Sequence, residues 1–572
     1  METASSRAGW VLSVAAVAAL SSACSGPPLV CNAGETPMGG RCVPDVGDAR
    51  DANTSGSEGG ADAGDSGVTA PDVVDDRPSM AADTCVPMED LPDPDGRDTN
   101  CDGIDGDAAN AVFVDPRATT NGDGTRERPF RTLADALRAV TATRRQVLVA
   151  GGDLMESLTV PDNVFVAGGY DPTSWRVSET QRTRLVAACP VVTARRTMNS
   201  TLLRLHVEGI DANAPGASCV AVLLEQADGL RWSDSRIRAG RGADGTTGMV
   251  GAPMTTSAPS GAGGQPADLT LAIPRRPAGG AGGATCAPGG AGGSAFYMGT
   301  AAERGGDGMA MPIAGRGGAA GERGAFMGPS DPRAIGANGT DGLDGPAGAA
   351  GASAMANFCV ADATGYSNLC AVGRDGATGG NGGGGGGGGG GGLSDCGDGF
   401  EPKPGGAGGG GGGGGCGGNA GRGGGAGGAS IGVLVVGGTA RLERVAIETA
   451  GGGRGGNGGA GAIGSAGGAG GSGAGCREPN GLSAVACRCG ATSTLTAARG
   501  GNGGRGGAGG RGGAGGGGAG GPSVGVVLVQ GATVMGTTPF NVGRAGQGGS
   551  TGDGSGTRGA TGLEIDTHNV AR

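Results

Sequence analysis

Two kinds of residue in this chain are placed as if to do chemistry. The first is the stretch DPDGRDTNCDGIDGD at 93–107, where Asp98, Asn100, Asp102 and Asp105 stand among further aspartates, with Gly96, Gly103 and Gly106 between them. Calcium takes six to eight oxygen ligands, and carboxylates separated by turn-forming glycine can wrap a chain around such an ion. A solvated acidic turn is the alternative. An EF-hand loop requires Glu at its twelfth position, which is missing here, so a helix-loop-helix calcium site is not expected.

The second is cysteine. There are 15, an odd number that becomes even once Cys24 is set aside. Cys31, Cys42, Cys85 and Cys101 lie near the start, and Cys189 and Cys219 in the next region. Cys286, Cys359, Cys370, Cys396, Cys416, Cys476, Cys487 and Cys489 follow. Disulfides are their expected use in an exported chain. Zinc is the rival, but Cys487 and Cys489 are the one close pair, and His206 and His568 the only histidines.

Two lone histidines also argue against a Ser-His-Asp site. No H-E-x-x-H or G-K-[ST] is present. The many G-x-G-x-x-G matches neither follow a strand nor open a helix, so no nucleotide is an expected partner. His206 lies in the alternating stretch LLRLHVEG, where an outward, solvated place is expected. Arg231, Arg236 and Arg238 are expected to pair with the scattered Asp211, Asp228 and Asp234.

The N-terminus sets the compartment. Arg7 precedes an apolar run from Trp10 to Leu20, and Ser21, Ser22 and Ala23 lead into Cys24. The run falls short of the roughly 20 helical residues that span a bilayer, so it reads as a signal peptide over 1–23. A small-residue run ending in Cys resembles the lipobox of bacterial lipoproteins, which implies acylation of Cys24 and a membrane partner through that anchor. The match departs from the family in placing Leu20 four residues before the Cys, with Ser21 where Leu is usual. Ser25 after the Cys implies the outer membrane or cell surface; plain secretion with cleavage after Ala23 is the alternative.

Residues 24–84 read as a small Cys loop followed by a disordered acidic stalk, poor in large apolar side chains. The Asp-rich stretch, within 85–110, resembles a D-x-N-C-D-G-x-D-G motif found ahead of repeat domains in bacterial surface proteins. A net charge of −11 argues against nucleic acid as a partner. With 139 Gly and 2% aromatic residues, most of the length cannot build an ordinary close-packed core.

From 111 to 239 short apolar strands recur: Val112 to Asp115, Gln146 to Ala150, Leu158 to Val160, Val164 to Ala167, Thr183 to Val186, Val191 to Thr193 and Leu202 to Val207. Leu133, Ala136, Leu137 and Val140 have helical spacing. The order strand, G-x-G-T-x-x-x-P-F-x-T-L-x-x-A, helix, strand is similar to the capped start of pectin-lyase-like proteins. That resemblance implies an all-β, right-handed parallel β-helix, a solenoid whose open end the helix plugs. A repeated block aligns at Ser218, Ser430 and Ser523, placing Val222, Val433 and Val526 in one column, with a further start near Thr561. The coil at 429–450 and the last coils at 522–572 follow from this alignment.

Between the copies lie two glycine-rich insertions, 240–428 and 451–521, with Gly at every third position over long stretches. That period suits a polyproline II type helix. Collagen would need three chains and more proline. The contest is between packed polyglycine II helices and plain disorder; strict triplets and cysteines favour order. In composition the tracts resemble PE-PGRS proteins, whose Pro-Glu domain has no match here.

The expected function is a non-enzymatic surface lipoprotein with a structural, adhesive or matrix-contact role, its partners a polysaccharide or a matrix protein. A passive glycine-rich spacer or coat is one alternative. A polysaccharide lyase or hydrolase, implied by the pectin-lyase resemblance, is the other.

Overall fold

The computed structural model describes the backbone of residues 35–38 and 41–44, and then 89–268, 275–284, 286–297, 300–309, 323–324, 334–392, 405–477, 483–484, 487–488 and 496–570. The chain divides into two compact units, 1–79 and 80–572. In the first, Glu35–Met38 and Arg41–Pro44 pair as an antiparallel hairpin. The signal peptide, Cys24, Cys31, Cys85, Cys396, Cys489 and the stalk lie outside the described residues.

Two parallel sheets organise the second unit. The larger has eleven strands and includes Ala111–Val114, Gln146–Ala150, Phe165–Tyr170, Thr183–Ala187, Leu205–Gly209, Leu230–Ala239 and Thr439–Thr449. The smaller has six strands, in the order Glu564–Asn569, Ser523–Val529, Ser430–Val436, Cys219–Glu225, Val192–Arg195, Leu158–Val160. Val222, Val433 and Val526 share one register row in it. Apolar side chains from the two sheets, among them Val147, Leu185, Val222, Trp232, Val433 and Ile447, fill the space between them.

The unbroken apolar runs CVAVLLE, SIGVLVV and SVGVVLV reflect burial on both faces, as parallel strands require. Their second face carries Leu223, Leu434 and Val527, covered by Phe358, Ala361 and Tyr366 from the small hairpin of Val360–Asp362 and Gly365–Ser367. The seven-residue helix Leu133–Ala139 begins at Thr132, whose hydroxyl accepts from Asp135 N at 3.1 Å. Its Leu133 and Ala136 join the core beside Val112 and Val114.

An all-β right-handed solenoid does not describe this molecule, and that expectation is corrected. Most strands form one large curled parallel sheet and one smaller parallel sheet, helix is sparse, and most of the described residues of 240–522 carry no strand pairing. The curl has a local cause. Arg204, Asp234 and Arg444, each at a φ near +50° (51°, 50° and 52°), follow the paired residues Leu203, Ser233 and Glu443. Left-handed backbone at the same point of successive strands bends the sheet, at a cost of about 1 to 2 kcal/mol per residue. The stretch read as one strand from Leu202 to Val207 is therefore two, broken at Arg204.

The glycine tracts form a packed body of extended runs whose amides bond to neighbouring runs. Runs 240–265 and 450–475 begin where Leu230–Ala239 and Thr439–Thr449 end, and lie parallel, with Gly245 N donating to Arg454 O at 2.7 Å. Runs 405–429 and 498–522 lead back into Ser430–Val436 and Ser523–Val529, and are likewise parallel, with Gly412 N donating to Gly504 O at 2.9 Å. Outward and returning runs are antiparallel neighbours, Gly456 N donating to Gly425 O and Gly459 N to Arg422 O, both at 2.8 Å. At a rise of roughly 3.1 Å per residue, a 25-residue run extends about 75 Å.

The period of three is the period of this packing. Gly385, Gly386 and Gly387 donate at 2.9 Å to three different runs, through Gly412 O, Thr340 O and Gly306 O. The stretches with no side chain at all, 382–392 and 408–415, are buried throughout and surrounded. Where a neighbour is lost, a side chain takes its place. Gly384, Gly387 and Gly390 face Pro288, Ala291 and Ser294 so closely that a Cβ would overlap their carbonyls. Upstream in the same row, before that neighbouring run begins, stand Asp375, Thr378 and Asn381.

Polar side chains finish the bonding at the edge of the body. Asn338, Asp341 and Asp344 accept from the amides of Asn502, Arg505 and Ala508 at 2.8, 2.6 and 2.7 Å. Spacing of three on one run matches spacing of three on the other. Removing one such exposed cap should cost about 1 kcal/mol. In Asp341→Ala, hydrogen exchange measured by NMR should speed up at the Arg505 amide and stay unchanged at Ala508.

Candidate functional site

The Asp-rich segment is a chain of tight turns held by its own carboxylates. Asp98 accepts from Asp102 N and Gly103 N at 3.0 and 2.8 Å, and Asn100 from Asp102 N at 3.0 Å. Asp102 accepts from Ile104 N and Ala108 N. Asp105 turns the other way. Its side chain is fully buried, with Oδ2 2.8 Å from Arg204 Nη2, while Tyr170 OH donates to its main-chain carbonyl at 2.7 Å.

Asp98, Asn100 and Asp102 are thus engaged by backbone amides of their own turns. The Asp105 carboxylate is already matched to a guanidinium, and among the described residues no three His, Cys, Asp or Glu side chains converge closely enough to hold a metal ion. The segment fastens 89–110 to the outer face of the large sheet. Ile104 packs with Phe113, Leu148, Tyr170 and Trp175, and Gln146 bonds Asp90 O and Asp107 N at 2.8 and 2.9 Å. Burial pushes the Asp105 carboxyl up to about 6 even with Arg204 opposing it, and burial also holds Tyr170 well above its ordinary value.

Cysteines pair as Cys189 to Cys219, Cys286 to Cys416 and Cys359 to Cys370. Cys101 is also disulfide-bonded. Cys42, Cys476 and Cys487 lie in described strands. The bond of Cys359 closes the hairpin segment that covers the smaller sheet, and the bond of Cys416 ties the short run at 287–296 to the central glycines.

Beyond the clamp the large sheet presents an arginine-rich outer face. Asp153, Arg184, His206 and Arg236 stand in register on four adjacent parallel strands, and Glu208, Arg238 and Glu448 form the next outward row. Neighbouring strands are about 4.8 Å apart, so each row is a ladder of polar groups. Glu208 bridges Arg184 and Arg238 at 2.7 and 2.9 Å; Arg184 also reaches Asp153 at 2.9 Å, and Arg236 reaches Glu448 at 2.7 Å. Arg182, Arg184, His206, Val207, Glu208, Arg236 and Arg238 line a groove of about 250 Å³.

His206 is half-buried there, not fully solvated. Burial first, and then the guanidinium groups of Arg182, Arg236 and Arg184, hold it below the usual imidazole value. The Arg184 hydrogen bond holds Glu208 below the usual carboxylate range. The expected pairing of Arg236 and Arg238 with nearby aspartates is replaced by pairing with Glu448 and Glu208. Asp234 pairs with Arg444, while Asp211 and Asp228 accept from Arg241 N and Thr439 N.

This face was not singled out from the sequence. Its signal is an alternation: Arg184, His206, Glu208, Arg236 and Arg238 occupy the outward positions of strands whose inward positions are Leu185, Leu205, Val207 and Ile237. No protein-family model, curated protein or solved structure matches the chain.

Proposed function

We propose that this chain is a non-enzymatic, exported surface protein, anchored through Cys24, with a structural or adhesive role in contact with an extracellular matrix. The observation that carries this reading is the bonding of 382–392 to neighbouring runs on three sides, because extended chains tied together along their length resist bending as no flexible linker does. The body also holds 408–415 buried without any side chain. A stiff element of this kind suits reach and support.

The test is made in the native host. Intact mass should show an acylated chain beginning at Cys24, external protease should reach it on whole cells, and deletion of 240–428 should reduce attachment to matrix-coated surfaces. A mature chain without acyl groups, kept inside the cell, would overturn the surface assignment. Release of unsaturated sugars from polyuronates by the purified protein would overturn the non-enzymatic one.

A further inference from the structure

We infer that the groove at His206 is a binding site for a compact oxyanion, a phosphate or sulfate group, free or carried as an ester. The inference goes beyond the proposed surface role, since it concerns a different face of the molecule. Four guanidinium groups converge on a space of about 250 Å³ whose lining contains one carboxylate, Glu208, within a chain of net charge −11. Arg182 makes no ion pair among the described residues and lies exposed at the groove. Arg236 is about half-exposed and spends one nitrogen on Glu448.

Glu208 orders the site without filling it. By bridging Arg184 and Arg238 it fixes two planar donors side by side, each with N–H groups to spare. A tetrahedral oxyanion has several acceptor atoms and matches such a set of forks better than one more carboxylate would. No bond is made or broken; the event is binding.

The chain's own probe is His206. The charged groups around it are Arg182 and Arg184, Arg236 and Arg238, Glu208 on its own strand, Asp153 and Glu448. An anion seated among these cations offsets their repulsion of imidazolium, so occupancy should raise the His206 titration midpoint. His568 lies elsewhere, on the last strand of the smaller sheet, and serves as an internal control.

The experiment follows the imidazole signals of the full chain by NMR at constant ionic strength. Sulfate, inorganic phosphate, a phosphomonoester and a sulfated sugar are titrated in turn. The expected result is a saturable shift confined to His206, an upward move of its midpoint in saturating sulfate, and binding about tenfold or more weaker in Arg182→Ala/Arg236→Ala. Preference among the four probes tells a free anion from an ester. Equal, non-saturating shifts at both histidines, or undiminished binding in the double variant, would overturn the inference. Leu185→Asn, which disturbs the core beneath, separates loss of fold from loss of site: its melting drops, whereas that of the surface double variant stays near the parent.

Discussion

Gly385→Ala is expected to destabilise the glycine body by about 3 kcal/mol, although in most proteins a glycine to alanine change is mild. A Cβ at Gly385 would overlap the carbonyl of Gly504, backbone that belongs to a run bonded on its other sides and unable to retreat. Overpacking of this kind costs typically 1 to 3 kcal/mol, and parting the runs also lengthens the bonds from Gly385 to Gly412 and from Gly504 to Gly386. The entropy that alanine removes from the unfolded chain works the other way by about 0.4 to 1 kcal/mol, too little to reverse the sign. Arg505→Ala, at an exposed third position, should change stability by less than about 0.5 kcal/mol. Denaturant unfolding of both variants checks this; equal effects would mean that the runs are not packed as described.

Arg204→Met should loosen 89–110 from the sheet at a cost of about 3 to 5 kcal/mol near pH 8, because it strands the Asp105 carboxylate in a buried place. The pH dependence is unusual for a carboxyl. Asp105 titrates higher in the folded protein, about 6, than the ordinary 3.8, so the folded state favours the proton. Its contribution to stability is therefore greatest below about pH 4 and is lost as pH rises to about 6, by on the order of 3 kcal/mol. Without the opposing charge of Arg204 the carboxyl should titrate higher still. The variant's deficit should thus be markedly smaller at pH 4.5 than at pH 8. Limited proteolysis of 89–110 at the two pH values measures it, and a deficit independent of pH would show that Asp105 is not the group left unpaired.

Much of the strand pattern was legible, and for a physical reason. Gln146–Ala150 and Leu158–Val160 match their expected bounds because short apolar runs bounded by turn residues have few other uses. The aligned serines also have a structural meaning: Ser430 Oγ donates to Gly240 O at 2.8 Å and Ser523 Oγ lies 2.7 Å from Thr449 Oγ1, pinning the junction between strand and glycine run. The first copy aligns through Cys219 and not Ser218, a shift of one residue that the strand pairing fixes.

What stayed hidden depended on partners distant in sequence. The break at Arg204 leaves no mark in an alternating pattern, since a left-handed residue there is imposed by the strands on either side. Nothing in the spacing of 93–107 distinguishes Asp105, which turns inward, from Asp102, which turns to its own loop. Arg184, Glu208 and Arg238 come from three strands, and their meeting follows only once the register of those strands is known. The glycine period announced a threefold chain, but which triplets would tolerate a side chain depended on where the neighbouring runs stop.

The threefold bonding of the glycine body also governs how such a chain can change length. One added triplet would lengthen a run by about 9 Å and return every following residue to its former side. An insertion of one or two residues has to be absorbed locally, as between Gly251 and Gly261, where a step of ten residues stands opposite the step of nine from Ala460 to Ala469 and the bonding resumes beyond them. Growth by whole triplets needs no such local adjustment, provided that outward and returning runs lengthen together, so that the longer one does not end with nothing alongside it. Length in this body is thus a property shared by several segments, in which a triplet is the step that leaves every bond in place.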